Sequence, residues 1–497
     1  MKKFFYLCFS VIFLVFSTFS LSGCKKNEVE KVSKNLTSYA IDAELGDDMK
    51  IFANEKIVYH NNTGKELGFL CLHLYARAFR EGAMIKPYTT LTEASCFPKG
   101  VSYGDIVIRS VNVDGKSKKV ELVGEDEDIL KVDFGKKLAP KKTIEVMIEF
   151  ELVIPNSTHR LGWFESNVNL GNWYPIVCNY ENGKFDTTPY YSTGDPFVSD
   201  IANYDVNFKY PSRFKLCSTG EIKSTKNSKK IESKIKAKAV RDFAMCLSSN
   251  ATIKSGVANN TTVFYMGYAG DKNIEKYLEI AKKAVEYFSE IFGGYPYSTL
   301  TVAKSSFIYG GMEYPNMVIV SDSIDDEDEM LKVIVHEIAH QWWYGVVGNN
   351  QIKEAWLDES LAEYSTALFF KNNKKYGITY DDFVGTALSS YMLYVDVIET
   401  IRGDVNTKMN LPVYKYQNDY EYSYMVYVKG VIMFDSLSQM VGEKKVVQGL
   451  KKYYAENKFK FATKQDFFDA FKSACHKDLE TFFNGYLNGS VVISAIN

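Results

Sequence analysis

The feature that most constrains this chain is a change of hydrophobic period near Asp271. Upstream, Ile144, Val146, Ile148, Phe150, Leu152 and Ile154 have Glu145, Glu149 and Glu151 between them, a period of two that fits a half-buried strand. Leu70, Leu72 and Leu74 repeat the pattern, with Cys71 and His73 on the opposite face. Asp114-Gly115 and Asn182-Gly183 supply hairpin turns, and the Lys-rich stretch 223–238 reads as a solvated hairpin rather than a binding patch. Downstream the spacing becomes three and four. Residues 271–292 predict a helix stopped by Gly293-Gly294, with strand candidates at 299–303 and 317–320. Helices are then predicted at about 325–346, 354–371, 380–401, 420–440, 444–456, 464–475 and 477–487. Asp325, Asp326, Glu327, Asp328 and Glu329 open the first of these, where the helix dipole favours negative charge. The predicted fold class is therefore α+β: a β-rich, saddle- or sandwich-like N-terminal domain over 38–252, then a domain over 253–497 with a mostly helical C-terminal lobe.

The chain begins Met-Lys-Lys, runs apolar from Phe4 to Phe19 and reaches Leu21-Ser22-Gly23-Cys24. An apolar run too short to span comfortably, behind a basic start, predicts a secretory signal over 1–23. The Leu-Ser-Gly-Cys sequence resembles the lipobox of bacterial lipoproteins, which implies lipidation of Cys24 and a location on the extracytoplasmic face of a bacterial membrane. Residues 24–37 then read as a solvated tether. The formal net charge of −2, with no basic stripe, gives no reason to expect a nucleic-acid partner. Cys71, Cys96, Cys178, Cys217, Cys246 and Cys475 form no C-x-x-C pair, so neither a zinc knuckle nor a specific bridge is predicted.

Within the predicted helix 325–346 stands His336-Glu337-Ile338-Ala339-His340. Residues four apart share a helix face, so both imidazoles can reach one metal ion while Glu337 addresses a water on it. Glu359 follows 19 residues after His340, near the start of the next helix, where it can complete a two-histidine, one-glutamate zinc site. The chain holds six His in all, so this coincidence of spacing favours a metal site over packed histidines.

This spacing resembles the signature of the gluzincin aminopeptidases, the aminopeptidase N family. Gly310-Gly311-Met312-Glu313 resembles the family's G-x-M-E-N exopeptidase motif, and Tyr427-Val428-Lys429-Gly430 resembles its Y-x-K-G segment. The resemblance implies a thermolysin-like catalytic domain, one Zn2+ held by His336, His340 and Glu359, and peptide substrates. It further implies Glu337 as general base, Tyr427 as donor to the oxyanion, and Glu313, with Gly310, Gly311 and Met312, as the site for the substrate's free α-ammonium.

Tyr314 stands where the family motif has Asn, which bears on the neighbouring subsite. The resemblance also implies a second amine-binding Gln or Glu near Leu170-Gly171-Asn172-Trp173-Tyr174-Pro175, with Glu165 the nearest upstream carboxylate. Glu363, four residues after Glu359, is placed to orient a zinc ligand or to be a surface carboxylate. The chain ends soon after these helices, so the large C-terminal helical domain of longer relatives is expected to be missing and the cleft mouth correspondingly open. Two alternatives to an aminopeptidase remain at this level: a zinc endopeptidase, and a non-catalytic binding lipoprotein on the same fold.

Overall fold

The protein is described from a computed structural model covering residues 28–494 except residue 228. The leader and Cys24 lie outside these residues.

The period-two segments pair into one large sheet of eight strands. In spatial order these are Glu221–Asn227, Lys230–Val240, Ala202–Pro211, Ser38–Leu45, Lys50–His60, Thr143–Val153, Asp105–Val113 and Lys116–Lys118. Ile144, Val146, Ile148, Phe150 and Leu152 all point inward from the Thr143–Val153 strand, as alternation requires. Both hairpin dipeptides adopt positive φ at each central residue, 48° and 76° at Asp114-Gly115 and 51° and 85° at Asn182-Gly183, the geometry that matches strand twist. Leu67–His73 differs from a one-faced strand. It lies in a four-stranded sheet whose two faces are both covered at the end of this strand, so Cys71 and His73 are buried along with Leu70 and Leu72 while Phe69 stays exposed.

A five-stranded sheet begins at Ala251. Its order is Ala251–Ala258, Thr261–Tyr268, Thr299–Ser305, Met317–Ser321 and the short edge strand Gly311–Met312. Helices α1 (Ile274–Ile291) and α2 (Glu327–Ala339) pack together beside it. They are followed by α3 (Glu359–Asn372), α4 (Tyr380–Arg402), α5 (Lys429–Val441), α6 (Glu443–Asn457), α7 (Lys464–Cys475) and α8 (Glu480–Leu487). Asp326 caps α2, its carboxylate accepting from the Glu329 N–H at 2.8 Å. α2 ends earlier than periodicity predicts because the chain turns at Gln341 to bury Trp342 and Trp343.

Two expectations are corrected. The predicted helix 420–440 is interrupted by a π-turn at Tyr424–Val428. The predicted tether 24–37 is not solvated from Glu28 onward. Residues 28–33 are helical, Val29, Val32 and Leu36 pack on the body, and Glu30 and Glu28 pair with Lys238 and Lys458 at 2.7 Å and 2.5 Å. Apolar side chains at Val29, Val32 and Leu36 give that segment a face to bury, which its charge content conceals.

Candidate active site

His336 and His340 project from the last turn of α2 into a cleft of about 690 Å³, and Glu359 meets them from the first turn of α3. The two imidazole Nε2 atoms are 3.0 Å apart, and Glu359 Oε2 lies 3.2 Å from His336 Nε2 and 3.1 Å from His340 Nε2. His340 Nδ1 is 3.1 Å from the Trp343 carbonyl, which can only accept, so that nitrogen carries a proton and Nε2 is the atom turned toward the cradle. Two imidazole nitrogens and a carboxylate converging on one point is a donor set suited to a single Zn2+. Burial alone would raise the Glu359 carboxyl, yet the facing imidazoles outweigh it and hold the group well below the usual carboxylate range. Glu363 lines the same cleft, with its Oε1 3.8 Å from His336 Nδ1.

Glu337, one residue from His336, is buried, and its Oε2 has no partner among the described residues. Burial, then the charge of Glu313, pushes its carboxyl well above the ordinary value, whereas a dication in the cradle pulls the other way. Gly311 explains how the carboxylate fits. A Cβ at that position would stand 2.2 Å from Glu337 Oε1, so only glycine admits it. At Gly310 the nearest atom is 3.6 Å away, and no such demand exists.

Glu313 closes one end of the cleft. It is 3% exposed, and its Oε1 accepts from Gln351 Nε2 at 2.8 Å. Burial followed by the charge of Asp195 pushes its carboxyl up to about 8. Asp195 lies beside it and donor atoms of Asp195, Glu313 and Glu359 all fall within 4.8 Å of one another. Arg160 holds Asp195, with Nη2 at 2.6 Å from Oδ1. Gln341, the residue after His340, donates to the Glu313 and Tyr314 carbonyls at 3.3 and 3.2 Å and accepts from the Asn316 N–H. The metal helix and the carboxylate loop are thus fixed to each other.

Three sequence expectations change here. Glu165 is exposed in the turn between strands Leu161–Phe164 and Asn167–Leu170 and does not line the cleft; the N-terminal carboxylate beside Glu313 is Asp195. Met312 is buried with its sulfur 3.0 Å from Arg160 Nε and does not line the cleft either. Strand alternation turns it away from the faces of Gly311 and Glu313. Tyr314 points into the N-terminal half, its hydroxyl 3.4 Å from Asn172 Oδ1, and a Cβ on Gly171 would stand 1.8 Å from that hydroxyl. Its bulk fills a contact between the two halves rather than a subsite.

Tyr427 reaches the metal cradle from the π-turn. Its hydroxyl donates to Glu359 Oε1, and its ring stacks on His336 at 5.8 Å. The crowded tyrosines divide by role. Tyr420 is exposed, Tyr424 stacks on Tyr394 at 4.3 Å, and Tyr422 lines the cleft edge-on to Tyr427 at 5.7 Å.

A β-rich half beside a mixed sheet, with two helices presenting H-E-x-x-H and a distal glutamate, has the arrangement of a gluzincin-type metal site whose donor set fits Zn2+. Residues 276–486 match the peptidase family M1 domain. Through this region the chain is similar to the aminopeptidase N family of zinc metallopeptidases. It is 24% identical over 417 residues to aminopeptidase N of Lactobacillus helveticus, covering 78% of this chain and 47% of that protein. It is 22% identical over 358 residues to leukotriene A-4 hydrolase of Xenopus laevis, covering 70% of this chain and 56% of that one. The chain therefore spans about half the length of these curated relatives. Among solved structures, an M1 zinc metallopeptidase from Deinococcus radiodurans superposes with a TM-score of 0.65 at 13% identity, covering 92% of this chain and 94% of that one. A variant of it bound to a Tyr-Ser-Ala substrate gives 0.63 at 14%, with the same coverage.

Proposed function

We propose that this protein is an aminopeptidase that removes N-terminal residues from peptides. The observation that carries the reading is the buried carboxylate pair Glu313 and Asp195, which closes one end of the cleft beside the metal cradle. A buried pair of carboxylates is a costly arrangement that a cation offsets, and a free α-ammonium is the cation that an N-terminus brings. The other end opens past Asp328, Glu329 and Lys332, leaving room for the rest of a peptide.

His336, His340 and Glu359 would hold the Zn2+, which would supply Lewis acidity to the attacking water and the scissile carbonyl. Glu337 takes a proton from that water and delivers it to the leaving amine. Tyr427 donates its phenol hydrogen to the oxyanion as charge develops. Gln351 and Arg160 keep Glu313 and Asp195 aimed at the ammonium. The Deinococcus relative with a bound tripeptide supports a substrate of this class. Attachment to the extracytoplasmic face of a bacterial membrane through a lipid on Cys24 is part of the same proposal, supported by the Leu-Ser-Gly-Cys sequence.

The test compares hydrolysis of aminoacyl anilides with that of their N-acetylated forms, with and without chelator. Loss of turnover on acetylation and on chelation is expected; equal rates for free and acetylated substrates would overturn the aminopeptidase reading.

A further inference from the structure

The Y-x-K-G segment has two residues, Lys429 and Gly430, that the chemistry above leaves without a task. Both sit directly after the π-turn that carries Tyr427. A π-turn widens the helix by one residue and breaks the regular pairing of carbonyls with N–H groups. The Val426 carbonyl within it is taken by the Ser360 hydroxyl at 2.5 Å, and both residues are fully buried. Ser360 immediately follows the metal ligand Glu359 on α3, so one side-chain bond joins the ligand helix to the tyrosine turn. Gly430 makes that bond possible. A Cβ there would meet Ser360 Oγ at 2.3 Å and its Cα at 2.9 Å, so α5 could not approach α3 closely enough.

Lys429 secures the other side. It is fully buried and forms no salt bridge with a carboxylate among the described residues. Its ammonium donates to the Thr407 carbonyl at 2.6 Å and the Tyr486 carbonyl at 3.4 Å, and lies 5.8 Å from the ring centres of Tyr391 and Tyr486. Thr407 is tied in turn to the Gly489 carbonyl at 2.8 Å. One side chain therefore gathers α4, the loop before the tyrosine turn and the end of α8. A buried cation without a counter-ion is expensive, and a Met of similar length would pack there more cheaply. Stability alone does not account for it.

We propose that Ser360 and Lys429 are positioning residues for Tyr427: from opposite sides they hold the π-turn that keeps its phenol over the Glu359 carboxylate and the His336 ring. This rests on Tyr427 being the oxyanion donor, and the experiment separates the two. Steady-state kinetics, zinc content and thermal melting are measured for Tyr427→Phe, Lys429→Met, Ser360→Ala and the doubles combining Tyr427→Phe with each of the others. Tyr427→Phe is expected to lower kcat by about 100-fold or more, the scale for losing one oxyanion donor. Lys429→Met and Ser360→Ala are each expected to lower kcat by roughly 10-fold, with KM within about twofold and zinc retained. In the Tyr427→Phe background both are expected to cost nothing further, because a displaced Phe has no donor to lose. The same fold-loss in both backgrounds, or unchanged kcat in the single variants, would overturn the positioning role. A fully active Tyr427→Phe would instead overturn the donor reading. Where Lys429→Met fails to fold, the Ser360→Ala cycle decides alone.

Discussion

Gly311 and Glu337 show how a single atom governs the chemistry of this cleft. Glu337→Gln keeps the volume and leaves all three metal-binding side chains in place, so zinc content should stay the same while kcat falls by a factor of about 10²–10⁴, the range for removing a general base. Metal analysis alongside kinetics checks both halves. Gly311→Ala should act on the same carboxylate from outside. Its methyl group would stand 2.2 Å from Glu337 Oε1, so the carboxylate must swing away. Activity should drop by at least about tenfold at nearly unchanged melting temperature, since the cleft has room for the displaced group. The local sequence makes His336, Glu337, His340 and Glu359 legible because fixed helical offsets dictate where their side chains go. Nothing comparable announces Asp195, Gln351 or Arg160. Asp195 reaches Glu313 across 118 positions of chain, and only the packing of two sheets brings them together. Glu165 misled because proximity in sequence to the Leu170–Pro175 region is no guide to which loop turns inward.

At the level of elements, periodicity located nearly every helix, and its failures have physical causes. It carried α2 past its real end because Trp342 and Trp343 continue an apolar rhythm while packing as a turn. It missed the π-turn because inserting one residue shifts the helical phase by about 100°, too little to break an apolar run that is buried on several sides. The start of α2 was readable in its acids, but only the structure picks Asp326 as the cap. Asp326→Ala should remove that bond and cost about 1 kcal/mol of stability, read as a lowered melting temperature. His336 lies ten residues further along a helix held by tertiary packing, so KM and kcat well below the melting transition should not change. A loss of activity parallel to the loss of stability would mean instead that the cap also aligns the metal helix.

For the whole molecule, the two halves are bound by polar contacts that composition gives no hint of. Buried Arg241 donates to the Tyr344, Ser199 and Lys460 carbonyls at 3.0–3.2 Å, and Tyr314 inserts against Gly171 and Asn172. Burial on this scale also sets how the fold responds to acid. His73 is 4% exposed and stacked on Tyr75 at 4.4 Å, and burial pushes its imidazole down to about 4. A depressed folded-state value means that the unfolded chain takes up a proton first. The stability from keeping His73 neutral is therefore complete above pH 6.5, declines as pH falls from about 6.5 to about 4, and is flat below. Over that window it is worth on the order of 3 kcal/mol. Asp242 opposes it. Burial pushes that carboxyl up to about 6, so its contribution is present at low pH and lost as pH rises from about 4 to about 6. The two effects offset in the intact protein, and only a comparison isolates either. Denaturant unfolding of the wild type and of His73→Gln across pH 4 to 7 should show the variant gaining stability relative to wild type as pH falls, because glutamine has no proton to bind. Parallel curves would mean that His73 reaches water when protonated, and that the N-terminal half opens locally at acid pH before it unfolds.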